Sequence, residues 1–102
     1  MPDNATALID GYLLDGSPPR SEVIARLLAV PPSPQARPFY DGFRILGART
    51  PDLSLIALRL VLAGRRADDS AVTALRAVIE RVRAGGPQAR AARSEYRTML
   101  GD

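Results

Sequence analysis

A chain of 102 residues with 46% apolar and 25% charged side chains fits one globular domain and excludes wholesale disorder. All fourteen basic residues are Arg, set against eleven acids, and the net charge of +3 is too mild to demand a nucleic-acid partner. Cys, His and Lys are absent, so disulfides, thiolate nucleophiles, zinc–thiolate sites, imidazole bases and Schiff-base chemistry are excluded.

The five aromatic residues are Tyr12, Phe39, Tyr40, Phe43 and Tyr96. A core must therefore come mainly from Leu, Ile, Val and Ala, which favours close helix packing. The opening MPDNATALID lacks the basic and long apolar regions of a secretion signal. The longest apolar run falls well short of the ~20 residues that span a bilayer. These features predict a cytoplasmic protein with no membrane contact.

The first predicted helix runs over Asn4–Leu14, with Asp3 or Asn4 as N-cap and an apolar stripe of Leu8, Ile9, Tyr12 and Leu13. Gly16 ends it in a left-handed position. The second follows Ser21 as N-cap, buries Val23, Ile24, Leu27 and Leu28, and stops before Pro31. PPSPQARP, residues 31–38, then reads as an extended, rigid connection inside the single domain.

FYDGFRILGA is the third helix, with Pro38 in its first turn and a core stripe of Phe39, Phe43 and Leu46. Gly42 inside it suggests a close backbone approach. The fourth begins at Thr50-Pro51-Asp52, read as a Thr N-cap, a first-position proline and an acid against the dipole. It runs to about Ala63, and between Leu53 and Ala63 only Ser54 and Arg59 are polar.

The fifth spans about Ser70–Ala84 and is strongly amphipathic. Val72, Leu75, Val78, Ile79 and Val82 face one way and Thr73, Arg76, Glu80 and Arg83 the other, with Glu80 and Arg83 in pairing register. Gly85-Gly86-Pro87 breaks it. The last helix, residues 88–100, carries Ala89, Ala92, Tyr96 and Met99 on one face and Arg90, Arg93 and Arg97 on the other. Its alanine-rich apolar side predicts loose attachment. Strand signals are nearly absent, so the expectation is an all-α, compact bundle of five or six short helices centred on the Leu-rich segment.

Catalytic signatures are missing. Asp68 and Asp69 are the only adjacent acids, and neighbours on a helix point apart, so they read as a helix start and not as an acid–base pair. No phosphate loop, dinucleotide fingerprint, serine elbow or calcium loop occurs. No enzyme, cofactor or metal site is expected.

Two binding readings remain. A helix apolar nearly all round needs cover nearly all round. The Leu-rich helix therefore presents Leu55, Leu58 and Leu62, with Arg59 at their edge, as a face for a protein partner or a second copy of the chain. Arg59 itself either snorkels at the rim or pairs with a carboxylate. The expected role is a helical interaction module: an adaptor, regulator or assembly subunit. The alternative is a nucleic-acid-associated regulator, using Arg90, Arg93 and Arg97 as a stripe along a phosphate backbone.

Overall fold

Six α-helices and one 3-10 turn account for most of residues 4–101, the residues that the computed structural model describes. In chain order they are α1 (Asn4–Asp15), α2 (Arg20–Leu28), α3 (Arg37–Leu46), the 3-10 turn (Gly47–Arg49), α4 (Asp52–Leu62), α5 (Asp69–Ala84) and α6 (Gln88–Met99). No strand occurs among the described residues. The all-α bundle expected from periodicity is the fold observed.

Several helix boundaries have different causes from those the sequence suggested. Asp68 does cap α5, its carboxylate accepting from the Ala71 amide at 2.9 Å, and Asp69 adds negative charge in the first turn. Thr50 does not cap α4. Its hydroxyl turns back and donates to the Gly47 carbonyl at 2.7 Å, and the residue is fully buried. Thr50 thus ties the 3-10 turn to the start of α4, while Pro51 occupies the cap position with no side-chain bond. Ser21 lies inside α2, which begins one residue earlier behind Pro19. Of the proposed caps for α1, Asp3 lies outside the described residues and Asn4 is already helical.

The proline-rich connection is shorter and more curled than an extended strut. The Ser33 carbonyl accepts from the amides of Ala36 and Arg37, so the chain turns there, and α3 begins at Arg37 with Pro38 in its first turn. Ala36 is buried beneath this turn. That anchors the connection to the core.

α4 runs between α1 and α5; α1 also touches α2 and α5, and α3 packs on α2 and the 3-10 turn. The core draws Ile9 and Leu13 from α1, Val23, Ile24 and Leu27 from α2, and Tyr40 and Phe43 from α3. α4 contributes Leu55, Ile56, Leu58 and Leu60, and α5 contributes Leu75, Val78, Ile79 and Val82. Each such aliphatic side chain stabilises by roughly 1.5–3 kcal/mol on full burial. The Leu-rich helix is central because five of its eleven residues are buried.

α6 is not the loose element that its alanine content suggested. It packs on α5 more extensively than any other pair of helices, and Ala92, Tyr96 and Leu100 are buried. Small residues let two backbones approach closely, so the alanine face gives intimate contact. An Arg81–Glu95 ion pair at 2.8 Å bridges the two helices at the surface.

The glycine of consequence is also not the expected one. Around Gly42 nothing lies within 4 Å of where a Cβ would stand. At Gly11, by contrast, a Cβ would sit 2.5 Å from the Ser17 carbonyl oxygen. The chain leaving α1 folds back over it, with the Ser17 amide donating to the Gly11 carbonyl at 3.2 Å.

Candidate functional site

The residues proposed for a partner face are mostly inside. Leu55 and Leu58 are fully buried, Arg59 is 3% exposed, and Leu62 is half-buried. Leu55 and Leu58 are therefore corrected to core positions. The side of α4 that seemed surplus is covered, since the helix has neighbours in both α1 and α5. Its exposed apolar residue is Leu53 in the first turn, at 45%.

Arg59 takes the second of its two expected alternatives. Its Nε donates to Asp10 Oδ1 at 2.7 Å, and its Nη2 approaches Oδ2 at 3.4 Å. The Tyr96 hydroxyl donates to the same Oδ1 with a short contact. Burial, together with the adjacent Asp10 carboxylate, raises the Tyr96 phenol well above its usual value, with Arg59 opposing weakly. This inner cluster joins α1, α4 and α6. Charge-assisted bonds of this kind hold a specific arrangement among otherwise non-directional Leu and Val contacts.

A second cluster of the same three residue types lies at the surface. Asp52, in the first turn of α4, accepts from the Tyr12 hydroxyl at 2.7 Å and from Arg20 Nε and Nη2 at 3.0 and 2.5 Å. Arg20 and Arg83 stand 5.4 and 5.5 Å from the Tyr12 ring centroid, so the ring carries two cation–π contacts. Arg83 reaches across from α5 to the last turn of α1. Its Nε donates to the Leu13 carbonyl at 2.6 Å and its Nη2 to the Tyr12 carbonyl at 3.1 Å. A cation at the C-terminal end of α1 also meets the negative end of its dipole.

The expected Glu80–Arg83 pair does not form. Glu80 instead receives Arg76 at 3.2 Å, one turn earlier, which leaves Arg83 for α1.

Desolvation pushes the Asp52 carboxyl upward. Hydrogen bonds from Tyr12 and Arg20 and the charges of Arg20 and Arg83 together outweigh it, and the net effect is a lowered value. Tyr12 shifts upward, through burial first and its bond to Asp52 second.

These residues border a groove of about 350 Å³ between α4 and α5. The buried Leu13, Ile56 and Ile79 form its floor, the exposed Pro51 and Leu53 stand at the start of α4, and Arg20, Arg76 and Arg83 supply positive charge. Apolar lining with a few convergent polar groups is the usual make-up of a binding site. A cleft of about 440 Å³ between α1 and α2 is more apolar, lined by Ala5, Leu8 and Val30 among others. Its charged residue, Arg26, already faces Glu22 at 3.5 Å. It offers nothing to orient a ligand.

Arg90, Arg93 and Arg97 do share one face of α6, as their spacing predicted, and with Ser94 they line a shallow surface depression. Arg93 is held by Asp15 at 2.5 Å. Arg90 and Arg97 are exposed.

Sequence reasoning missed the Tyr12–Arg20–Asp52–Arg83 assembly. Its one available signal was Tyr12, an aromatic with a polar tip on a short helix, yet Asp52 and Arg83 lie 40 and 71 residues away. Among the described residues no group of three or more His, Cys, Asp or Glu is placed to hold a metal, and no helix is long and apolar enough to cross a membrane. No family model matches the chain, and no curated protein or solved structure is significantly similar to it.

Proposed function

We propose that this chain is a helical interaction module that docks a protein partner in the groove at the start of α4. The observation that carries this reading is the exposed Leu53 with Pro51 beside it, standing over the buried Leu13, Ile56 and Ile79 and bordered by guanidinium groups. Apolar contact with a partner side chain supplies affinity, and the charged rim fixes orientation. The partner face thus moves from the middle of the Leu-rich helix to its first turn, because the middle is covered by the protein's own helices.

The test is a selection from random peptides displayed with either terminus free, followed by mapping of enriched peptides on the isotopically labelled chain by NMR. Resonances of Leu53, Ile56 and Ile79 should move, and Leu53→Asp should weaken binding by tenfold or more while the fold is kept. If enriched peptides perturb only other surfaces, or Leu53→Asp leaves affinity unchanged, the reading fails.

A second reading has its own support in the depression lined by Arg90, Arg93 and Arg97. There the ligand would be a nucleic-acid backbone, and affinity would fall steeply between about 50 and 200 mM salt. Replacement of the three arginines by glutamine would abolish that binding and leave peptide binding intact.

A further inference from the structure

Three guanidinium groups border the groove, from Arg20, Arg76 and Arg83, against two carboxylates, from Asp52 and Glu80. The carboxylates are already matched. Asp52 holds Arg20 at 2.5 Å and Glu80 holds Arg76 at 3.2 Å. Arg83 is the cation in excess: its Nη1 makes only a long ion pair, 4.0 Å, with Asp52, whose carboxylate Arg20 already holds at 2.5 Å. That separation is beyond a hydrogen bond.

Arg83 is also held in place. Its Nε and Nη2 are bound to the Leu13 and Tyr12 carbonyls, and its guanidinium lies against the Tyr12 ring. A flexible arginine must be immobilised when it binds an anion, and here much of that ordering is complete beforehand. The remaining Nη1 is a preorganised donor beside the apolar lining.

We propose that the groove captures the free C-terminus of a partner chain ending in an aliphatic residue. The carboxylate would meet Arg83 Nη1, and the last side chain would pack on the exposed Leu53 and Pro51, above the buried Ile56 and Ile79. This rests on the reading of the groove as the docking place and names the chemistry of what docks.

Charge count favours a carboxylate over a phosphate. The groove has one positive charge in excess, which a monoanion balances, whereas a dianion would press against Asp52 and Glu80. Size agrees: about 350 Å³ lies at the small end of ligand sites, which suits a short chain end and not a large ligand. A chain terminus is the part of a polypeptide that joins a carboxylate and an aliphatic side chain at one Cα.

The probe is the peptide acetyl-Gly-Ser-Ala-Leu as free acid, titrated into the full-length labelled protein beside its C-terminal amide and inorganic phosphate. The acid should move the Arg83 Nε–Hε resonance and the Ile56 and Ile79 methyls. The amide should bind about tenfold more weakly or worse, the loss of one charge-assisted contact. Phosphate at equal concentration should not displace the acid.

Arg83→Gln should remove the difference between acid and amide. Because Arg83 also binds the end of α1, Leu53→Asp serves as the second variant. It alters a surface position and should repel the carboxylate. Equal binding of acid and amide, displacement by phosphate, or shifts confined to α6 would overturn the proposal. If only peptides with a blocked C-terminus were selected and bound the groove, the docking reading would stand and this inference would fall. Selection of no groove-binding peptide in either orientation would overturn both.

Discussion

Two Asp–Arg–Tyr clusters hang from α1, one through Asp10 and the other through Tyr12. In each, a single carboxylate oxygen takes both a guanidinium and a phenol. What separates them is solvent. The Arg59 side chain is 4% exposed, whereas that of Arg20 is 36% exposed. The inner cluster spends its hydrogen-bonding capacity on holding α1, α4 and α6 together. The outer one borders a groove and has a second guanidinium, Arg83, beside it. The same residue types serve structure where water is excluded, and in the proposed reading they serve recognition where it is not.

The comparison breaks most sharply at Asp10. Asp10→Ala takes a carboxylate away from a buried guanidinium, and breaking a buried pair costs about 3–5 kcal/mol. Asp10 keeps some contact with water, so about 3 kcal/mol is expected in urea unfolding. A loss below about 1 kcal/mol would place the inner cluster with ordinary surface pairs.

Gly11 lies between Asp10 and Tyr12, and any shift of α1 there disturbs both clusters. Gly11→Ala should destabilise by about 1–3 kcal/mol, because the new methyl meets the Ser17 carbonyl. Gly42→Ala, in open space on α3, is the control and should stabilise by about 0.5–1 kcal/mol. Equal effects at the two positions, measured by thermal denaturation, would remove the close-approach argument.

Tyr96→Phe removes one hydrogen bond to Asp10, for an expected cost of about 1–1.5 kcal/mol. It should also change the alkaline limb of stability. The folded protein keeps the Tyr96 phenol protonated beyond its ordinary value of 10.0. As pH rises above about 10 the unfolded chain loses that proton first, so the folded state binds more protons and stability declines. The contribution is complete below pH 10 and is lost above it. In the phenylalanine variant this part of the decline should vanish when unfolding is followed from pH 8 to 11.

The smallest effect belongs to the outer pair. Asp52→Asn should cost less than about 1 kcal/mol, since Arg20 and Asp52 are both about one-third exposed. The Asp52 carboxyl is lowered from 3.8 in the folded state, so its contribution is present above that pH and fades as pH falls through the lowered value. Acid unfolding of wild type and variant should differ slightly above pH 4 and converge below. A loss as large as that of Asp10→Ala would erase the distinction between the clusters.

Much of the fold was legible because helix signals are local. The apolar stripes of α2 and α5, the break at Gly85-Gly86-Pro87 and the acidic start at Asp68 depend on residues within a few positions of one another. The misassignments arose where two local readings competed. Thr50 has the composition of an N-cap, yet its hydroxyl found the Gly47 carbonyl, because a tight turn brought that acceptor to 2.7 Å. Glu80 stood in register with Arg76 and Arg83 alike, and the pull of the α1 carbonyls on Arg83 settled the choice.

The candidate site was less legible still. Leu55 and Leu58 look like a surface from sequence because a helix wheel shows which residues share a side and not what lies opposite. The alanine side of α6 looked weak for the same reason, since the closeness of a small-residue contact depends on the surface that meets it. By itself, the sequence determined an all-α chain, the approximate span of each helix, the arginine face of α6 and the absence of cysteine, histidine and lysine chemistry. Only the tertiary structure decided which apolar residues remain outside, which acid each arginine meets, and that Arg83 stands as the excess charge beside a groove. Helix periodicity is set by backbone hydrogen bonds four residues apart, whereas these pairings join residues 49, 70 and 86 positions apart, through contacts that exist only once the helices have packed.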